Sequence, residues 1–139
     1  MNYETIKNYG RIIKLYFQFL CEHGFSMKQY DNGVDYEVIY SRPECEIGVF
    51  CVLGLDNKLF TRYKNKLMDD KQLIENSHLD AHIVIRRKGS RSNLLKCDLF
   101  DALSIDDLKK NILNCRYDID KILKTYSEFL KKNLNKLLS

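Results

Sequence analysis

Eight residues near the end of the chain, Ile105, Leu108, Ile112, Cys115, Ile119, Ile122, Tyr126 and Phe129, recur at spacings of 3, 4, 3, 4, 3, 4 and 3. An α-helix completes a turn in about 3.6 residues, so this spacing gathers all eight on one side of a single long amphipathic helix. Ser104, three residues ahead of Asp107, is placed to accept from the first free backbone N–H groups, and Asp106 and Asp107 suit the positive end of the helix dipole. The helix is therefore expected to begin at Ser104 and to run towards Leu138, with Tyr117-Asp118 as the place where a kink or break would fall.

A two-stranded coil carries charges beside its apolar seam, but here two of the flanking positions are Leu123 and Leu130. The stripe is thus wide, which suits packing on a sheet of the same chain and favours a monomer. A homodimer through this helix is the alternative.

Upstream, Ile6, Tyr9, Ile13, Tyr16, Phe17 and Leu20 follow helical spacing from Tyr3 to His23, and Gly24 supplies the left-handed residue that ends many helices. Gly10, inside this helix, predicts the close approach of another backbone. After Gly24 the period becomes two. Phe25 and Met27 open a strand, Asp31-Asn32-Gly33 forms a turn, and Val34, Tyr36, Val38 and Tyr40 alternate with Asp35, Glu37, Ile39 and Ser41, which predicts a β-hairpin. Arg42-Pro43-Glu44 interrupts the ladder, and Cys45 to Leu53 make a third strand. Phe50 and Val52 give that strand a second apolar face, so it is expected at the centre of the sheet.

From Lys58 to Asn76 the reading leans to a helix, through Leu59, Phe60, Tyr63 and Leu67, but Lys58 to Lys64 reads equally as a strand. His82 to Arg86 reads as a further strand, Gly89 to Asn93 as an exposed turn, and Leu94 to Phe100 as the returning strand. The expected architecture is one α+β domain over residues 1–139: an N-terminal helix, an antiparallel sheet of about four or five strands, and a long C-terminal helix packed on the sheet.

No apolar run approaches the roughly 20 residues that a membrane span requires, and Met1 to Thr5 show no secretory pattern. Cys21, Cys45, Cys51, Cys97 and Cys115 are an odd set without a C-x-x-C pair, which argues against a disulfide framework or a zinc knuckle. Four of them fall on apolar faces and Cys21 lies near the end of the first helix. A cytoplasmic protein is expected.

The charge is uneven. Residues 1–57 hold five basic against eight acidic side chains, whereas residues 58–139 hold eighteen against eleven. Such polarity steers a charged partner to one face. Asp35, Glu37, Glu44 and Glu46 lie on or beside the second and third strands and form the candidate partner-binding face. Tyr30, Tyr36, Tyr40 and Tyr63 either add contact area there or cap the core.

Arg86, Arg87, Lys88 and Arg91 surround a turn, and Arg62 extends the patch if it falls on the same face. Together they form a candidate basic finger for nucleic-acid phosphates. His78 and His82 have the spacing of a helical metal pair, but a strand beginning near Asp80 would spoil it. No phosphate-cradling glycine loop, nucleophile elbow or cofactor motif occurs, so neither an enzyme nor a cofactor is expected.

The helix ending in Phe17-Gln18-Phe19-Leu20-Cys21-Glu22-His23-Gly24-Phe25, the alternating strands, and Asp98-Leu99-Phe100-Asp101-Ala102-Leu103 before a closing amphipathic helix make a familiar layout. It resembles small cytosolic bacterial proteins of unknown function, some of which are similar to immunity proteins of polymorphic toxin systems. The resemblance covers the order of elements, with "FLxxxGF" and "DLFDAL" as its local echoes. It implies a non-catalytic binder that covers a toxin's active site, and it transfers no site residue. The net charge of +4 departs from the acidic inhibitors that mimic nucleic acid.

Overall fold

The structure, a computed structural model, describes residues 8–31, 35–54 and 57–139. The first helix, α1 (Tyr9–Glu22), turns Tyr9, Ile13, Phe17 and Leu20 into the core, each burial worth about 1.5–3 kcal/mol. It ends as Gly24 predicts. Gly24 takes φ +87°, its N–H donates to the Cys21 carbonyl, and the Phe25 N–H reaches back to the Leu20 carbonyl. This pair of bonds satisfies carbonyls that the helix leaves open, and buried Phe25 and Leu20 complete the cap.

Gly10 serves a different purpose from the expected one. A methyl group there would lie 2.1 Å from the Tyr36 hydroxyl, so the glycine makes room for a tyrosine ring and not for a backbone.

Five strands follow, β1 (Ser26–Asp31), β2 (Tyr36–Arg42), β3 (Cys45–Gly54), β4 (His78–Arg87) and β5 (Ser90–Asn93). They form an antiparallel sheet in the order β1-β2-β3-β4-β5, with β3 at its centre. The predicted turn at Asn32-Gly33 lies outside the described residues. Between β3 and β4 stand two short helices, α2 (Asn57–Lys64) and α3 (Asp70–Glu75), where one helical segment was expected.

The break between them has a local cause. Lys66 adopts φ 60°, and the Leu67 N–H turns back to the Arg62 carbonyl to close α2. Asp69 and Gln72 then cap α3 reciprocally, each side chain accepting from the other's backbone N–H at 2.8–3.0 Å.

The second hairpin differs in register from the sequence expectation. Its turn is the two-residue Lys88-Gly89, both with positive φ as a tight twisted hairpin requires. The returning strand is consequently Ser90–Asn93, and Leu94–Lys96 is a 3₁₀ turn in place of a strand. Asn93 starts that turn by accepting from the Leu95 N–H at 2.9 Å.

The closing segment is divided into α4 (Ala102–Asn114), α5 (Ile119–Lys132) and α6 (Leu134–Leu138). Its first cap is Asp101, not Ser104: the carboxylate accepts from the Ser104 N–H at 3.0 Å and from its hydroxyl at 2.7 Å. Arg116 and Tyr117 both lie in the left-handed region, and Asp118 restarts the helix by accepting from the Lys121 N–H. The repeat nonetheless keeps its meaning. Ile105, Leu108, Ile119, Ile122 and Tyr126 are buried, with Leu123 and Leu130 beside them, because both helices face one core. The remaining three, Ile112, Cys115 and Phe129, are half-buried against the same core.

Helices α1 and α5 pack on the face of the sheet that carries Val38, Tyr40, Ile47, Val49, Ile83 and Ile85. Tyr16 donates to Asp120 at 2.8 Å, Lys131 lies 5.2 Å over the Phe19 ring, and Phe129 meets Phe100 edge to face at 5.0 Å. Among the described residues no helix is long and apolar enough to cross a membrane.

Candidate functional site

Strand alternation puts a second set of side chains on the opposite face of the sheet. The register arranges them in rows, three of which are Tyr30, Glu37, Phe50 and His82; Lys28, Ile39, Gly48, Val84 and Asn93; and Ser26, Ser41, Glu46, Arg86 and Arg91. One row is aromatic, one largely apolar and one charged. Except for Gly48, all remain half-buried or exposed.

Gly48 has a specific role in this surface. A methyl group there would fall 2.7 Å from the Phe50 ring, so the glycine lets that ring lie along its own strand. Tyr30, half exposed, stands in the same row two strands away.

At the end of the sheet where β1 gives way to β2, a recess of about 680 Å³ is lined by Tyr30, Asp31, Asp35, Tyr36, Glu37 and Phe50, among others. Burial holds the Glu37 carboxyl above the usual carboxylate range, with Glu46 adding to the rise and Arg91 opposing it. The recess combines aromatic walls with carboxylates, a chemistry that suits a cationic side chain presented by a partner.

The four predicted acidic residues do not form one cluster. Asp35 and Glu37 border the recess, whereas Glu44 and Glu46 sit near the other end of β2 and β3. There each faces an arginine: Glu44 lies 3.6 Å from Arg42, and Glu46 lies 4.0 Å from Arg86.

The basic finger is dispersed for a related reason. Successive strand residues point to opposite faces, so Arg86 lies on the open face beside Glu46, while Arg87 lies on the helical face and donates to the Ser139 carbonyl. Lys88 occupies the turn itself, and Arg91 stands directly across from Arg86. Arg62 belongs to α2, which follows the far end of β3, and does not extend the patch.

His78 and His82 share β4, where four residues span roughly 13 Å of backbone at about 3.3 Å per residue, so the helical spacing of a metal pair is not formed. His82 instead lies 3.7 Å from Asp80. Among the described residues no group of three or more His, Cys, Asp or Glu is arranged to hold a metal. Burial pushes the Cys45 thiol up to about 11 and the Cys51 thiol up to about 12, so both stay protonated at neutral pH.

Of the four tyrosines, Tyr40 is buried in the core, Tyr36 and Tyr63 are half-buried, and only Tyr30 offers broad contact area. Phe50, Ile39 and Val84 were not singled out from the sequence as surface residues. Their signal was present in the apolar second face of β3, which reads equally well as burial under another layer. No protein-family model, curated protein or solved structure matches the chain.

Proposed function

We propose that the chain is a non-catalytic protein-binding module of the cytosol. It neutralises a toxin-type partner by covering that partner's functional site, as its layout's resemblance to immunity proteins implies. The observation that carries this reading is the open sheet face, where Tyr30, Ile39, Phe50 and Val84 remain accessible across four strands beside the recess of Asp31, Asp35 and Glu37. Aromatic and aliphatic anchors supply the buried centre of an interface, and the carboxylates select a basic rim on the partner. The acidic first half of the chain raises the encounter rate more than the affinity.

The test is affinity capture of the tagged chain from host lysate, with and without nuclease, beside a variant carrying Phe50→Ser and Glu37→Lys. A stoichiometric protein that survives nuclease and is lost in the variant supports the reading. A protein bound equally by both forms refutes the proposed surface.

One observation favours a second reading. Arg86 and Arg91 face each other on the same open sheet, a like-charged pair that Glu46 only partly offsets and that a phosphate backbone would relieve. Capture that disappears on nuclease treatment would put nucleic-acid binding first.

A further inference from the structure

Helix α2 (Asn57–Lys64) and the turn after it carry four basic side chains, Lys58, Arg62, Lys64 and Lys66, and no acidic one between Asn57 and Met68. All four are exposed, and the ion pairs among the described residues include none of them. Lys64, Lys66, Leu67 and Lys71 line one recess, so these cations and the leucine share a side of the molecule. Asp69 and Asp70 line it too, but both already serve the fold. Asp69 caps α3 by accepting from the Gln72 N–H, and Asp70 accepts from the Tyr63 hydroxyl, which ties α2 to α3.

Large apolar side chains stand among these cations. Leu59 and Tyr63 turn inward and pack against the core, whereas Phe60 is 51% exposed and Leu67 67% exposed. Phe60 and Lys64 are neighbours on one flank of the helix, a turn apart. Leu67 follows because Lys66 adopts φ 60° and the Leu67 N–H returns to the Arg62 carbonyl, an ending in which an apolar residue at this position ordinarily packs back on the helix. Here it stays in water. A single exposed apolar residue needs no explanation, but two within an acid-free basic segment leave apolar surface unburied and like charges unrelieved in the same place.

We propose that α2 and its turn dock on the surface of an anionic lipid bilayer. Phe60 and Leu67 enter the boundary between headgroups and acyl chains, while the basic side chains stay at headgroup level on their long stems. A bilayer offers negative charge at its surface and hydrocarbon just beneath, whereas a phosphate backbone answers the cations alone. Each basic residue near such a surface is worth roughly fivefold in partition, so four favour it over a neutral surface by up to several hundredfold. The contact needs no spanning helix. It shares no residue with the open sheet face and does not rest on the partner reading.

The test is sedimentation of the full chain with vesicles of phosphatidylcholine, alone or with roughly 30% phosphatidylserine. Binding to the mixed vesicles that weakens with added salt is expected, with binding about tenfold weaker or worse to phosphatidylcholine alone. Phe60→Ser/Leu67→Ser and Lys64→Glu/Lys66→Glu, each with an unchanged melting temperature, should each lose about tenfold or more. Arg86→Glu/Arg91→Glu should bind as the unsubstituted chain does. The chain has no tryptophan, so Phe60→Trp supplies a sole reporter whose emission should shift to the blue on the mixed vesicles. Emission unmoved by vesicles, full binding in the double-serine variant, an equal loss on substituting Arg86 and Arg91, or binding to polyuridylate with none to vesicles would overturn the proposal.

Discussion

Replacing Gly10 with alanine pits helix propensity against packing at one contact. The added methyl would lie 2.1 Å from the Tyr36 hydroxyl oxygen and 2.4 Å from the ring carbon that bears it. Comfortable separations are about 3.5–4.0 Å, so the ring must move by more than 1 Å. Its hydroxyl donates to Gln29, and that bond is worth about 0.5–1.5 kcal/mol. Forcing a methylene-sized group into a filled site costs about 1–3 kcal/mol. Against these stands alanine's helical advantage over glycine, up to about 1 kcal/mol and smaller here because Gly10 is only the second residue of α1. A net loss of about 1–3 kcal/mol is expected, read as a lower urea midpoint with an unchanged slope. In a Tyr36→Ala background the obstacle is gone, and Gly10→Ala should then stabilise. The reasoning would be refuted by a neutral or favourable Gly10→Ala in the otherwise unchanged chain, or by additivity of the two substitutions.

Two further outcomes follow from single groups. The Tyr40 hydroxyl is buried and without a partner among the described residues, so Tyr40→Phe should raise stability by about 1 kcal/mol in urea denaturation; a loss of similar size would reveal a partner for the hydroxyl. The Asp101 carboxyl is held below its usual range, first by the Ser104 backbone N–H and then by its hydroxyl. Its contribution is therefore fully present above the ordinary aspartate value near 4 and is lost as pH falls through the lowered folded value. Asp101→Ala should reduce the melting temperature at pH 7, and the difference from the unsubstituted chain should shrink towards pH 2; a difference independent of pH would contradict this account.

The parts of the fold legible in the sequence were those governed by periodicity and local capping. The α1 stripe, the Gly24 cap, the first hairpin and central β3 all rest on interactions within a few residues or on burial repeated along one element. What escaped was phase at element boundaries. The repeat from Ile105 to Phe129 passes through Arg116 and Tyr117 without a change of spacing, because hydrophobic phase reports which side faces the core and not whether the backbone stays helical between turns. The break itself falls at Tyr117-Asp118, where the sequence places a kink or break, and Asp118 is its signal as a capping residue inside an otherwise helical run. The second hairpin was misplaced because Gly89 to Asn93 has the composition of a loop throughout, whereas an edge strand needs only half-exposed serines and arginine.

The candidate surfaces were less legible because their meaning depends on which face of the sheet receives the helices. Arg86 and Arg87 are adjacent in sequence and opposed in space, and that opposition separates an exposed charge paired with Glu46 from a partly buried one that borders a recess. Phe50 and Val52 follow the same logic in reverse. An apolar second face on a central strand means burial when helices cover both sides, but α1 and α5 both pack on the side of Val49 and Cys51. Once the helical layer is assigned to one side, the accessible aromatic row becomes an open surface, and the acidic recess lies at its edge, with Glu37 and Phe50 on the open face and Asp31 and Tyr36 on the helical one.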